Sequence, residues 1–257
     1  DHLKVLHLDF HYLKKPQMLV EPIGNAVHLQ ELSIMSLDLL SFTLPRSVHD
    51  GVLRLLQNTQ NRLQKLTLRS TGLDDQHFMA IVELLPTSRL ADIEISINKI
   101  QAQGILTFAA QLSRIKSLKT VAFLQNLWDC TLFDRSTLPP ARYEECIDAL
   151  LQGMLENYSI VYLNLTRSEK KLEYCTHINR IRRKILETSS SIPLELWTLI
   201  LEKVGTRTWH PTWEDDVRLQ KYRANSVYFV LQNSPILSSI GSLCCQQRCQ
   251  RKRKRVV

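Results

Sequence analysis

The sequence has 257 residues, of which 44% are hydrophobic, and its 33 basic and 25 acidic residues give a net charge of +8. No run of about 18 apolar residues occurs, which excludes a predicted membrane-spanning helix. The basic excess lies near the end of the chain, because residues 217–257 hold nine basic and no acidic residues while residues 1–216 hold 24 basic and 25 acidic ones.

Six short stretches within residues 1–168 share one pattern, with apolar side chains at the first, fourth and sixth positions. Residues 90–98, Leu-Ala-Asp-Ile-Glu-Ile-Ser-Ile-Asn, show it most completely, because an Asn also stands at the ninth position. A single strand of this kind cannot bury its apolar face alone, so its recurrence predicts stacked repeats. The six triplets are Leu3/Leu6/Leu8, Leu29/Leu32/Ile34, Leu63/Leu66/Leu68, Leu90/Ile93/Ile95, Leu118/Val121/Phe123 and Ile160/Leu163/Leu165.

The pattern L-x-x-L-x-L-x-x-N resembles that of leucine-rich repeat proteins. Three of the five steps between triplets are 26 to 28 residues long, which is similar to the ribonuclease-inhibitor-like branch with long repeats. The resemblance covers residues 1–168 and implies an α/β solenoid, a horseshoe of about six strand–helix repeats. Asn98 and Asn126 occupy the ninth position in two repeats, and other residues occupy it elsewhere, so we expect the outer turns to be less regular.

Alternate side chains of each predicted strand point away from the core, toward the concave face of such a horseshoe. Charges alternate between neighbouring strands there, with Lys65 and Arg69 beside Asp92 and Glu94. Two interpretations stay open: a mixed-charge recognition surface, or strands that pair their charges across the sheet. The candidate protein-binding residues on this face are Glu31, Lys65, Arg69, Asp92, Glu94, Tyr162 and Asn164.

Helical segments with apolar stripes follow most of the predicted strands. We expect a helix capped by Ser47, helices over residues 74–85 and 105–115, and a longer helix that starts at Pro140. Their apolar stripes are interpreted as core rather than as binding surface.

Two repeats are longer than the others because residues 36–46 and 127–139 are inserted. Insertions in solenoids form loops that often lie on a binding rim. The second insertion contains Trp128, Leu132 and Phe133, which are costly to leave in water. These side chains either fold back onto the solenoid or anchor a partner.

Three helical segments are predicted after the repeats, over residues 174–186, from Ser191 onward, and over residues 226–237. We interpret residues 169–237 as a helical cap that covers the last repeat. Residues 178–180, 192–202 and 227–237 resemble the ending of a group of diatom leucine-rich repeat proteins. The exposed face of the first of these helices is expected to carry Arg180, Arg182, Arg183 and Lys184.

Residues 238–257 are predicted to form a disordered basic tail. Its five consecutive cations are typical of a nuclear-import signal or of a segment that binds polyanions. The tail has no aromatic residue, so any binding to nucleic acid is expected to be electrostatic and sensitive to salt. A solvated tail without a role is the alternative. The cations are Arg251, Lys252, Arg253, Lys254 and Arg255.

The six Cys, at residues 130, 146, 175, 244, 245 and 249, show no paired spacing in the repeat region. This distribution favours a reducing compartment. No basic-then-apolar leader precedes the first repeat. We therefore expect an intracellular protein of the cytoplasm, the nucleus or both.

No phosphate-binding loop, nucleophile elbow, metalloprotease helix or pair of carboxylates at a convincing spacing is found in the sequence. We expect a non-enzymatic scaffold that binds a protein partner through its concave strands and insertion loops, without metal, cofactor or small-molecule substrate. Two alternatives stay open. One is a regulator of a small GTPase, by analogy with the Ran GTPase-activating leucine-rich repeat proteins. The other is a nuclear scaffold whose tail binds an import receptor or a polyanion.

Overall fold

The structure is a computed structural model that describes residues 3–10, 16–36, 45–126, 140–166, 168–188, 193, 196–197, 199–200 and 216–233. The chain divides into two compact units, Asp1–Thr176 and His177–Val257. None of the helices among the described residues is long and apolar enough to cross a membrane. Each unit is described by itself.

The first unit contains one sheet of six strands, β1 to β6, which are parallel and follow one another in chain order. The register aligns the predicted repeats, since the fourth-position residues of the triplets are successive partners across the sheet. The predicted succession of six repeat strands is therefore confirmed, and the structure shows that the strands are parallel. The strands are β1 (Val5–Asp9), β2 (Glu31–Met35), β3 (Lys65–Arg69), β4 (Asp92–Ser96), β5 (Thr120–Phe123) and β6 (Tyr162–Leu165).

A helix follows each strand, which gives the alternating strand–helix order of an α/β solenoid-like fold. The helices are α1 (Val20–Gly24), α2 (Arg46–Gln57), α3 (Asp75–Leu84), α4 (Ala102–Gln111), α5 (Pro140–Glu156) and α6 (Lys170–Thr188). A 3-10 turn, Pro16–Leu19, precedes α1, and two more, Leu85–Thr87 and Leu112–Arg114, extend α3 and α4.

The helix boundaries correct two details of the sequence prediction. Ser47 does not cap α2, because the capping position is Pro45, which makes no side-chain hydrogen bond to the helix. Helix α1 was not predicted, because its five residues include Pro22 and are too few to show an apolar period. The predicted start at residue 74 is confirmed within one residue, since the Asp74 side chain caps α3 by accepting a hydrogen bond from the His77 N–H.

The core of the first unit lies between the sheet and the helices. Phe78, Phe108 and Phe123 pack at its centre with ring centroids 5.0–6.2 Å apart, and Phe123 meets the other two edge to face. The inward side chains of the central strands are buried, whereas those of β1 and β6 are half-buried. The difference arises because an edge strand has a neighbouring strand on one side only.

Two glycines allow neighbouring helices to approach closely. A Cβ atom at Gly104 of α4 would lie 2.7 Å from Asp75 Oδ1 and 2.9 Å from the Phe78 ring in α3. A Cβ atom at Gly153 of α5 would lie 2.6 Å from the backbone oxygen of Ala109 in α4. Because these distances are shorter than van der Waals contact, only glycine lets these helices pack at this separation.

Each of three central strands is followed by a residue in the left-handed region. Ser70, Ile97 and Gln125 have φ of 54°, 57° and 54° and occupy the same position in three consecutive repeats. L-residues rarely adopt this conformation, and a β-branched residue such as Ile97 is unusual in it. The recurrence therefore marks a turn that the repeat imposes, at which the chain leaves the sheet toward the next helix.

The asparagine at the ninth position bonds one repeat to the next. Asn98 Oδ1 accepts hydrogen bonds from the Thr71 N–H at 3.0 Å, the Thr71 hydroxyl at 3.0 Å and the Leu73 N–H at 3.1 Å. Its Nδ2 donates to the carbonyls of Leu68 and Ser96. The Asn98 N–H in turn donates to Asn126 Oδ1 at 3.1 Å, so three turns are joined through buried amide groups.

The second unit contains the C-terminal part of α6, the helical residues 196–197 and 199–200, and α7 (Val217–Gln232). Helix α7 begins nine residues before its predicted start, because its first turns are mainly polar and bury only Leu219 and Tyr222. Asp216 caps it by accepting hydrogen bonds from the N–H groups of Arg218 and Leu219. Trp197 is fully buried.

Arg182 was predicted on the exposed face of its helix, and this prediction was wrong. Its side chain is buried, and its guanidinium carbon lies 5.3 Å from the ring centroids of both Tyr222 and Phe229. The Tyr222 hydroxyl donates to Asn179 Oδ1 at 2.8 Å and so fixes one of the rings. A planar, weakly hydrated guanidinium stacks well on aromatic faces, which explains how a cation occupies this core position.

Candidate functional site

The outward side chains of the six strands form the candidate site, called here the strand face. The register places all seven predicted binding residues on it, and their role in binding stays a prediction. The first row across the strands is Val5, Glu31, Lys65, Asp92, Thr120 and Tyr162; the second is His7, Ser33, Thr67, Glu94, Ala122 and Asn164; the third begins Asp9, Met35, Arg69 and Ser96.

The second row is recessed at its centre relative to the first. Ser33 and Thr67 are short, buried side chains, whereas Lys65 in the first row has 46% of its side chain exposed. At the last strand of the sheet, Tyr162 is 49% exposed. The strand face therefore offers a shallow polar recess with an amphipathic aromatic side chain at one end, and such side chains are favoured at protein interfaces.

Part of the strand face pairs its charges across the sheet. Lys65 Nζ lies 2.7 Å from Glu31 Oε1, and His7 Nε2 lies 3.9 Å from the same oxygen. The hydrogen bond to Glu31 raises the pKa of Lys65 above its ordinary value; burial opposes this effect, and the charges of Glu31, Asp92 and Glu94 reinforce it. The Glu31–Lys65 contact is thus the cross-strand pairing that the sequence left open.

The neighbouring charges form no ion pair among the described residues, although Asp92 and Glu94 act electrostatically on Lys65. Asp92 and Glu94, both half-buried on β4, have no side-chain hydrogen bond or ion pair within the described part of the chain. Arg69, which is exposed on β3, likewise has none among these residues. Carboxylates that lose part of their hydration without a bonded partner are unfavourable, so this part of the face can be stabilised by complementary charges from outside the chain.

Several predicted site residues lie outside the described residues. They are the insertion-loop residues Trp128, Leu132 and Phe133 and the tail residues Arg251, Lys252, Arg253, Lys254 and Arg255. Residues 37–44, which form most of the first insertion, also lie outside them. The roles of the insertion loops and of the tail therefore stay predictions.

A cluster of ionisable side chains that the sequence analysis missed lies between α2 and α3. His49 is 2% exposed, and within the described residues neither of its ring nitrogens has a hydrogen-bond partner. Its ring centroid is 5.2 Å from that of His77, whose Nδ1 lies 2.7 Å from Asp74 Oδ1. Burial, and after it the charge of His77, lowers the pKa of His49 from 6.5 to about 4, against the opposing charges of Asp74 and Asp50.

Alignment of the repeats could have predicted that these two histidines lie close together. Once the insertion in the second repeat is discounted, His49 and His77 fall at similar positions of neighbouring helices. The cluster lies on the helix side of the unit and is not part of the strand face. In the part of the chain that the structure describes, no three His, Cys, Asp or Glu side chains are placed to hold a metal ion.

Successive strand–helix units, in-register parallel strands and an asparagine-bonded turn define a leucine-rich-repeat-like α/β fold. No protein-family model and no curated protein matches the sequence. Among the solved structures that match is one described as leiomodin-1 actin-binding site 2, with a TM-score of 0.50 and 16% sequence identity. The match covers 68% of this chain and 95% of that chain. At this identity the likeness shows the fold alone.

Proposed function

We propose that the chain is a non-enzymatic protein-binding scaffold that recognises its partner through the strand face. The observation that supports this proposal is a set of charges on neighbouring strands that form no ion pair among the described residues, Asp92 and Glu94 on β4 and Arg69 on β3. Such charges suit a protein surface that presents basic groups to β4 and an acidic group to Arg69. The Glu31–Lys65 pair beside them stabilises the sheet and is expected to contribute less to binding.

The structural neighbour supports this class of function. That neighbour is an actin-binding site of leiomodin-1, so a chain with this fold serves there to bind a protein. Because this likeness shows the fold alone, the partner must be identified by experiment. Purified actin is a defined ligand to assay alongside unbiased capture.

The proposal is tested by charge reversal on the two sides of the unit. The full chain and the variant D92K/E94K are used for quantitative affinity capture with mass spectrometry. Partners recovered by the unaltered chain should be depleted about tenfold or more with the variant, because two attractive contacts become repulsive. The control is E83K, a charge reversal of the same kind at an exposed position on α3, away from the strand face.

Arg69 provides a second pair of variants with the opposite sign. R69E should weaken capture of the same partners, whereas R89E, at an exposed position outside the strands, should not. The proposal is wrong if the strand-face variants and their controls recover the same proteins in the same amounts.

The alternative functions rest on the sequence. Acceleration of GTP hydrolysis by a small GTPase in the presence of the full chain would support the regulator. Loss of salt-dependent retention on heparin after deletion of residues 248–257 would support the polyanion-binding scaffold.

A further inference from the structure

A groove with a different chemistry lies in the second unit. It has a volume of about 460 Å³, which is within the range of ligand-binding clefts. The C-terminal part of α6 lines one side, and the helical residues 196 and 199–200 line the other. The aliphatic side chains that line the groove are Ile181 and Ile185 on the first side and Leu196, Leu199 and Ile200 on the second.

The groove leaves large aliphatic side chains in contact with water. Leu199 is 57% exposed and Leu196 is 45% exposed. Single exposed leucines are ordinary on a protein surface, whereas two on one side of an apolar groove are typical of an interaction surface.

Two cations at the groove favour a ligand with negative charge. Arg180 and Lys184 line the groove, and neither side chain has an ion pair within the described residues. The adjacent Arg183 differs in both respects, because it does not line the groove and its Nε lies 2.7 Å from Glu187 Oε1. The groove therefore combines an apolar floor with two positive charges that are available to an acidic ligand.

The spacing of these cations favours an elongated ligand with repeated charges. Arg180 and Lys184 are four residues apart, so they lie one turn apart on the same side of α6. The lining residues of α6 extend from His177 to Thr188, a distance of about 16 Å along the helix axis. An alkyl anion has one charge at one end, whereas a helix with acidic residues one turn apart matches both cations.

We propose that this groove binds an amphipathic α-helix of a partner protein, one whose apolar stripe is flanked by Asp or Glu residues a turn apart. Leucine-like side chains of that helix cover Leu196 and Leu199, and its acidic residues pair with Arg180 and Lys184. This is recognition of a helix in a groove. It involves no residue of the strand face, so it is independent of the function proposed above.

The first test is selection by the full chain from a displayed library of random peptides about 16 residues long, enough for four helical turns. The proposal predicts enriched peptides with apolar residues at every third or fourth position and acidic residues beside them. Enrichment of basic peptides, of peptides without helical periodicity, or of none would overturn it.

The second test compares matched variants for binding of an enriched peptide, measured by fluorescence anisotropy. L199D should weaken binding by about 30-fold or more, because it places a charge where an apolar side chain is covered. L186D is the control, since Leu186 is 62% exposed on α6 and does not line the groove. Both positions are exposed, so neither variant should unfold the chain, and circular dichroism verifies this.

Two charge-reversal variants complete the design. R180E should weaken peptide binding about tenfold, and R183E should leave it unchanged although it breaks the ion pair with Glu187. Equal effects of R180E and R183E, or equal effects of L199D and L186D, would overturn the proposal. Binding of dodecanoate that L199D abolishes, with no peptide bound by the unaltered chain, would assign the groove to alkyl anions instead.

Discussion

The two units of the chain differ in how their charges and cores are arranged. The first unit holds 18 basic and 19 acidic residues, and the second holds 15 basic and 6 acidic residues. In the first unit the repeat determines which side chains are buried, and none of its described Asp, Glu, Lys and Arg residues is buried in the core; several of them lie on the strand face. In the second unit a cation, Arg182, belongs to the core. A repeat thus allows burial to be inferred from position, whereas an aperiodic helical unit requires knowledge of its contacts.

The largest expected effect on stability comes from a substitution at Asn98, whose side chain bonds neighbouring repeats of the first unit. N98A removes the acceptor of the Thr71 and Leu73 N–H groups and the donor to Leu68 and Ser96. Because these backbone groups are buried, we expect the free energy of unfolding to fall by about 3–5 kcal/mol, as measured by urea denaturation.

The matched control is N58A. Asn58 Oδ1 accepts one hydrogen bond from the exposed Gln60 N–H, so its loss should cost less than about 1 kcal/mol. Equal destabilisation by N98A and N58A would mean that the asparagine-bonded turn does not hold the repeats together.

A smaller effect is expected from protonation of His49, a buried histidine of the first unit. The pKa of His49 is about 4 in the folded chain and 6.5 in the unfolded chain. The unfolded chain therefore takes up the proton first as the pH falls, so the stability that this group contributes is fully present above about pH 6.5 and is lost between about pH 6.5 and 4. The expected loss from this group is on the order of 3 kcal/mol, measured by denaturation at a series of pH values.

Two variants isolate this contribution. H49L should flatten the pH dependence within that window, because a leucine binds no proton. H28Q, at an exposed position, should leave it unchanged. The lowered pKa of Asp74 acts below its ordinary value of 3.8 and so falls outside the window. A slope that persists in H49L would show that protonation of His49 is not its source.

The smallest effect concerns the core cation of the second unit. R182A removes the guanidinium between Tyr222 and Phe229, and we expect it to lower the free energy of unfolding by about 2 kcal/mol. R183A removes a half-buried cation that is paired with Glu187 outside the core and should cost less than about 1 kcal/mol. Thermal and urea denaturation compare the two, and a larger loss with R183A would contradict the assignment of Arg182 to the core.

The sequence predicted those parts of the fold in which strand alignment and burial follow the repeat. Alignment of Leu66 with Ile93 followed from the triplets, and the same alternation located Asp92 and Glu94 on the outward face. The left-handed conformation of Ile97 was not predictable from the sequence, because no glycine stands at that position. The geometry of the repeat imposes it. Arg182 was misplaced because helical spacing reports a side chain's direction but not the aromatic rings packed over it. The pairing of Glu31 with Lys65, and the absence of bonded partners for Asp92 and Glu94 among the described residues, required the register and the distances.

The central claim is that the strand face is the surface that meets the partner, and site-specific photo-crosslinking tests it most directly. A photoreactive phenylalanine replaces Tyr162, which is 49% exposed on β6, or Tyr158, which is 47% exposed in the turn before β6 and not on the strand face. The account predicts partner adducts from position 162 and few from position 158. Adducts from position 158 alone, or equal yields from the two positions, would contradict it.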